Sequence, residues 1–254
     1  FTLAGIMVLF IFLVKNKHLP KIEKNGIMPV MLLGSVQTFG QYIFTYIGIG
    51  FTSGANTSVI TACATFFTVL FAPLFFKSDK LNICKIIGCV LGFCGVLCVN
   101  SGGGVTVDTL FGDFMILMST LSAAAGNFIS KGIVRDREPI SVTGFQLLFG
   151  GILLLIAGFV TGGKLDFSSI KGLLVLLWLA FVSAAAFAIW TALLKHHPAS
   201  RICVFNLLVP VFGTLLSGIM LGESVFGIET IVSVVLICAG IFISNMQIKK
   251  RCER

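Results

Sequence analysis

The chain has 254 residues, of which 57% are hydrophobic and only 11% charged, with a mean hydropathy of +1.05. Soluble domains carry roughly 25% charged residues, so the composition excludes a soluble enzyme and indicates an all-α polytopic membrane protein. A formal net charge of +8 does not make a nucleic-acid surface here, because the lysines and arginines sit between apolar runs and read as topology signals.

Nine apolar spans are predicted in chain order: residues 1–14, 27–49, 54–76, 84–99, 110–130, 140–160, 172–194, 202–221 and 226–244. Most approach the ~20 residues a helix needs to cross a bilayer, and none alternates with the period of a barrel strand. The first is short and reads as beginning inside a helix. Cys63, Cys89, Cys94, Cys98, Cys203 and Cys238 fall inside apolar runs without a CxxC pair, so they read as small packing residues rather than a metal or disulfide framework. The 28 glycines suit close helix packing in lipid.

The connections fix an orientation. Lys15, Lys17, Lys21 and Lys24 occupy the first connection, and alternate connections after it carry Lys77, Lys80 and Lys85, then Lys131, Arg135 and Arg137, then Lys195 and Arg201, then the tail from Lys249 to Arg254. Of the 18 basic residues, only Lys164 and Lys171 fall on the other side. The excess of Lys and Arg on cytoplasmic loops predicts a cytoplasmic C-terminus and a Phe1 end facing outward.

An internal repeat runs through the same spans. A shift of 144 lays Ala55 on Ala199, Asp79 on Glu223 and Phe1-Thr2-Leu3 on Phe145-Gln146-Leu147; shifts of 145 and 146 lay Gly95 on Gly240 and Phe44-Thr45 on Trp190-Thr191. Asp79 ends an outward-to-inward span and Glu223 an inward-to-outward one, so the two halves are inverted. Spans one to four thus match spans six to nine. The counterpart of span five would precede Phe1, which predicts ten helices as two inverted five-helix bundles, nine spans being present here. The predicted halves are residues 1–109, the first repeat without its first helix, and residues 110–254, the second repeat with a basic tail.

These residues carry a family likeness. The span after Ser53 ends in an acidic residue, Gly88 and Gly95 lie in the next helix, Leu110-Phe111-Gly112-Asp113 opens the second half, and Leu208-Val209-Pro210-Val211-Phe212 precedes Leu221-Gly222-Glu223. In their order and spacing the chain resembles the drug/metabolite transporter superfamily, specifically the EamA-like ten-helix permeases. In the first repeat the family's proline falls at Phe66 and its glutamate at Asp79. The resemblance implies an exporter or exchanger of small metabolites, amino acids or drugs in a bacterial-type plasma membrane.

A substrate site in an inverted-repeat transporter lies near the midplane, so mid-span polar residues are the candidates. Gln37, Gln41 and Thr45 stand at i, i+4 and i+8, one stripe on the second span; Thr57, Thr61 and Thr65 form another on the third. For the threonines, bonds to their own i−4 carbonyls are the competing reading. The fifth span adds Ser119, Ser122 and Asn127, the seventh Ser183, Trp190 and Thr191, and the eighth Asn206 one turn before Pro210. Trp190 could stack on a substrate but reads more readily as packing, and Pro210 reads as a hinge or equally as a tolerated kink. Asp79, Glu223, Pro210, Gly95 and Gly240 are assigned structural roles, with the carboxylates capping span ends; Asp113 reads the same way.

No mid-span carboxylate, lysine or arginine suggests an ion relay, and no GxxxxGK[ST] loop or HExxH helix is present. His196 and His197 read as solvated loop residues. No catalytic residue, metal or cofactor is called for. The predicted partners are a small-molecule substrate and the lipid bilayer, with no nucleic acid, and a homodimer is left open. A lipid-linked or phosphorylated-sugar carrier is the alternative, and an intramembrane enzyme lacks a mid-span base for Ser119 or Ser122.

Overall fold

The structure, a computed structural model, describes residues 1–17, 24–75, 83–101, 107–163, 169–197, 199–202, 209, 212, 216, 219–220 and 227–245. Those residues form helices α1 (Thr2–Asn16), α2 (Lys24–Leu33), a π-helical segment (Gly34–Gly40), α3 (Gln41–Ile49), α4 (Gly54–Thr61), α5 (Cys63–Phe75) and α6 (Ile83–Ser101). They continue as α7 (Val107–Val134), α8 (Pro139–Val160), α9 (Ile170–His196), α10 (Ala199–Ile202) and α11 (Ile228–Asn245). No strand occurs among the described residues. Four helical stretches, Asn25–Ile49, Thr109–Val134, Pro139–Val160 and Ile170–His196, are long and apolar enough to cross a membrane. Most of the eighth predicted span lies outside the described residues.

Two of the predicted spans are not simple α-helices. The second carries the π segment, in which i→i+5 bonding takes more residues per turn. The third is interrupted at Ala62, where the ladder steps down to a three-residue bond from Thr65 N to Ala62 O at 3.1 Å. Beside the break, Thr61 Oγ1 donates to Thr57 O at 2.6 Å, the back-bonding that commonly bends a helix.

The chain divides into two compact units. Unit 1 comprises residues 1–43 and 125–197, and unit 2 residues 44–124 and 198–254. Each unit therefore holds helices from both predicted halves of the chain: α1 and α2 with α8 and α9 in unit 1, α4 to α6 with α10 and α11 in unit 2.

Within unit 1, α1 packs on its repeat counterpart α8 through glycine contacts. A methyl group added at Gly5 would stand 2.5 Å from Leu148 N, one at Gly144 2.5 Å from Leu9, and Gly151 meets Thr2. Residue numbers rise along α1 as they fall along α8, so the pair is antiparallel. Within unit 2, α6 packs on its counterpart α11 in the same manner. A methyl group added at Gly95 would lie 2.8 Å from Ile237 Cγ1 and 3.0 Å from Ser233 O, and one at Gly240 2.5 Å from Gly88 O and 3.0 Å from Gly92 N. Ser233 Oγ donates to Gly95 O at 2.6 Å. This pair is antiparallel too, the relation that an inverted repeat imposes on equivalent helices.

The antiparallel run of α1 also brings Lys17, which closes α1 in the left-handed region at φ 55°, to the α8 end that starts at Pro139. At that end Lys131 Nζ donates to His197 O at 3.4 Å and Lys195 Nζ to Arg137 O at 3.2 Å. Three basic connections thus gather at one end of unit 1.

Candidate functional site

The interior of unit 1 holds a chain of uncharged polar side chains drawn from the π segment, α7, α8 and α9. Trp190 Nε1 donates to Asn127 Oδ1 at 2.9 Å. Gln37 Nε2 donates to the same oxygen at 3.3 Å. Gln146 Nε2 then donates to Gln37 Oε1 at 3.0 Å and to Thr38 Oγ1 at 3.4 Å. Gln37, Thr38, Asn127 and Gln146 are all buried, Thr38 and Gln146 at 0% exposure.

The directions of these bonds follow from one group. An indole N–H can only donate, so Asn127 must turn its carbonyl oxygen toward Trp190. Gln37 must then offer its NH₂ to that oxygen, which leaves its own oxygen to accept from Gln146. Both Gln146 N–H groups are used, and Gln146 Oε1 is left buried without a hydrogen-bond partner among the described residues. An orphaned buried acceptor costs about 1–3 kcal/mol.

Glycines make the cluster possible. A methyl group at Gly126 on α7 would lie 2.5 Å from Gln37 Cβ, and one at Gly34 would lie 2.9 Å from Gln146 O; Gly150 on α8 meets Thr38. Close backbone approach at these points brings short amide side chains within reach of each other. Also in unit 1, Phe1, Tyr42 and Phe187 form an aromatic trio, with ring centroids 4.2 Å apart for Phe1–Tyr42, 6.2 Å for Phe1–Phe187 and 6.4 Å for Tyr42–Phe187.

Of the residues singled out from sequence, Gln37, Asn127 and Trp190 meet in this one cluster. Gln41 is half-buried, and its backbone N–H bonds to Thr38 O and Val36 O at the close of the π segment. Thr45 lies in unit 2, paired with Ser119 Oγ at 2.6 Å. Gln37 and Thr45 thus both turn to α7, which the wider π turn explains: in a continuous α-helix, positions eight apart drift out of line. Two of the three residues of the expected stripe therefore bond helix to helix.

Thr61 bonds its own helix, as above, and Thr65 is buried on α5. Ser122 and Ser183 are half-buried, Thr191 is buried, and Asp113 in unit 2 accepts from Thr52 Oγ1 at 2.6 Å. Gly95 and Gly240 lie at the α6–α11 contact. Asn206, Asp79, Pro210 and Glu223 lie outside the described residues.

Two members of the cluster were not singled out from sequence. Gln146 meets the criterion applied to Gln37, an amide within a 22-residue apolar helix; only its place in the repeat was noted. Thr38 falls off the i, i+4 stripe, and no sequence signal marked the π segment that places it beside Gln146.

The description "EamA-like transporter family" matches residues 1–101 and 110–246. The chain is 23% identical over 257 residues to the "Uncharacterized transporter YetK" of Bacillus subtilis (strain 168), covering 98% of this chain and 77% of that one. It is 29% identical over 233 residues to a "Probable amino-acid metabolite efflux pump" of Salmonella typhimurium, covering 85% of this chain and 77% of that protein. A solved crystal structure shares the fold at a TM-score of 0.74 and 18% identity, over 97% of this chain and 86% of that one. The two matched segments together span nearly all of the sequence, and the chain belongs to the EamA-like transporter family, a family of multi-pass membrane proteins.

Proposed function

We propose that this transporter moves small polar metabolites, amino acids or solutes of similar size, as an exporter or exchanger that works by alternating access. The observation that carries this reading is the buried Trp190–Asn127–Gln37–Gln146 chain. It sets hydrogen-bonding capacity without formal charge inside otherwise apolar helices, which suits zwitterionic or uncharged solutes. The antiparallel packing of α1 on α8 and of α6 on α11 supports two inverted repeats, residues 1–109 and 110–254, the arrangement by which one site can open to either face. The amino-acid metabolite named for the Salmonella relative points to the same substrate class. On this reading the protein is a carrier rather than an enzyme, sits in the plasma membrane, and has its C-terminus in the cytoplasm.

Counterflow in proteoliposomes tests the reading, with a panel of labelled amino acids, nucleosides and cationic drugs. Saturable exchange of one solute class, lost in Gln37→Ala while the protein stays folded, is the expected result. Folded protein that exchanges no soluble candidate contradicts it and directs the next assay to lipid-linked sugars.

A further inference from the structure

Of the buried side-chain polar atoms in the unit 1 cluster, one is left over. Trp190 fixes Asn127, Asn127 fixes Gln37, and Gln37 with Thr38 takes both N–H groups of Gln146. What remains is Gln146 Oε1, a carbonyl oxygen on a residue of 0% exposure that has no hydrogen-bond partner among the described residues. It cannot be relieved by flipping the amide, because a flip would set the Gln146 oxygen against Gln37 Oε1. The donor-only indole at the far end of the chain holds every amide in place.

Resting on the transporter reading, we infer that Gln146 Oε1 is the substrate's acceptor, and that the solute it takes carries an N–H or O–H donor in its head group, a primary ammonium being the strongest. The cluster offers a cation no carboxylate, so recognition rests on this carbonyl and on the aromatic face of Trp190, which is bonded into the cluster and can attract an ammonium group. Gln146 is enclosed in the conformation described here. A solute reaches it only when the π segment and α8 part, the kind of movement that alternating access supplies. Gln146 is therefore the residue that discriminates a donor-bearing solute from one whose head group is fully methylated.

The test compares amino acids with their N,N,N-trimethyl betaines, which keep the charge and lose every N–H donor. In counterflow, wild-type protein is expected to favour the amino acid by about tenfold, the worth of one buried hydrogen bond. Gln146→Met keeps the length of the side chain and removes the acceptor. It is expected to bring that ratio to about one while exchange of the betaine continues. A role in packing alone would lower exchange of both solutes and leave their ratio unchanged, and that result overturns the inference.

Should Gln146→Met fail to fold, thermal stabilisation of the wild-type protein in detergent gives the answer: greater stabilisation by the amino acid supports the inference, and equal stabilisation by the two solutes overturns it. Exchange without preference for a donor sinks the inference and leaves transport standing. Selective stabilisation without exchange does the reverse.

Discussion

Gly126→Ala is the substitution whose cost is most directly readable from the structure. The new methyl would stand 2.5 Å from Gln37 Cβ, 2.6 Å from Cγ and 2.9 Å from Cδ. Ordinary contacts begin near 3.4 Å, so the two helices must separate by close to an ångström there. Cβ is anchored to the backbone, and no rotamer change relieves that contact. The Gln37–Asn127 bond, already 3.3 Å, breaks when its ends part. Overpacking costs roughly 1–3 kcal/mol, and a lost interhelical hydrogen bond in a membrane protein about 0.6 kcal/mol. The higher helix propensity of alanine returns up to about 1 kcal/mol.

The net loss is then about 1–3 kcal/mol, equivalent to a fall of roughly 3–10 °C in thermal midpoint for a chain of this size. Gly132→Ala on the same helix is the control, because a methyl group there meets nothing within 4 Å; its midpoint should hold or rise. Fluorescence-monitored melting in detergent makes the comparison. Equal midpoints for Gly126→Ala and Gly132→Ala would refute the packing of the π segment against α7 described here.

Other substitutions separate site from scaffold. Trp190→Phe keeps most of the ring and removes the indole donor to Asn127; the protein should fold while its exchange KM rises by about five- to tenfold, the worth of roughly 1 kcal/mol. Ser233→Ala deletes the 2.6 Å bond to Gly95 O and should cost about 0.5–1 kcal/mol in melting, with the exchange KM unchanged. Gly240→Leu would press into Gly88 O and Gly92 N, backbone atoms that cannot yield; size-exclusion chromatography should show loss of the monodisperse protein, whereas Gly158→Leu, in open space, is tolerated.

Hydropathy located the helices because the cost of leaving backbone groups unpaired in lipid makes each long apolar run a helix. The seventh predicted span, 172–194, became Ile170–His196, and the sixth, 140–160, became Pro139–Val160. Mid-span polarity picked out Gln37, Asn127 and Trp190, because an amide or indole N–H buried among apolar helices must find a partner. It could not show which partner. That depends on glycines at 34, 126 and 150 letting backbones approach, and on the wider turn of Gly34–Gly40, which a 3.6-residue period does not anticipate. Thr61 illustrates the opposite limit: whether a threonine bonds its own helix or a neighbour is a rotamer choice, and here it took Thr57 O. The sequence carries a repeat as a shift in numbering, and the antiparallel packing of Gly5 on Leu148 and of Gly95 on Ile237 is the arrangement that inverted halves would give.

Alternating access at the polar interior is the central claim, and two-sided accessibility of residue 41 tests it most directly. Gln41 is half-buried at the junction of the π segment and α3. Gln41→Cys would be placed in a background stripped of the eight native cysteines and probed with a membrane-impermeant thiol reagent from each face in turn. Labelling from both faces, slowed on both by a transported solute, is the expected result. Labelling from one face alone, in protein retaining solute exchange, would contradict a site that opens alternately to the two sides.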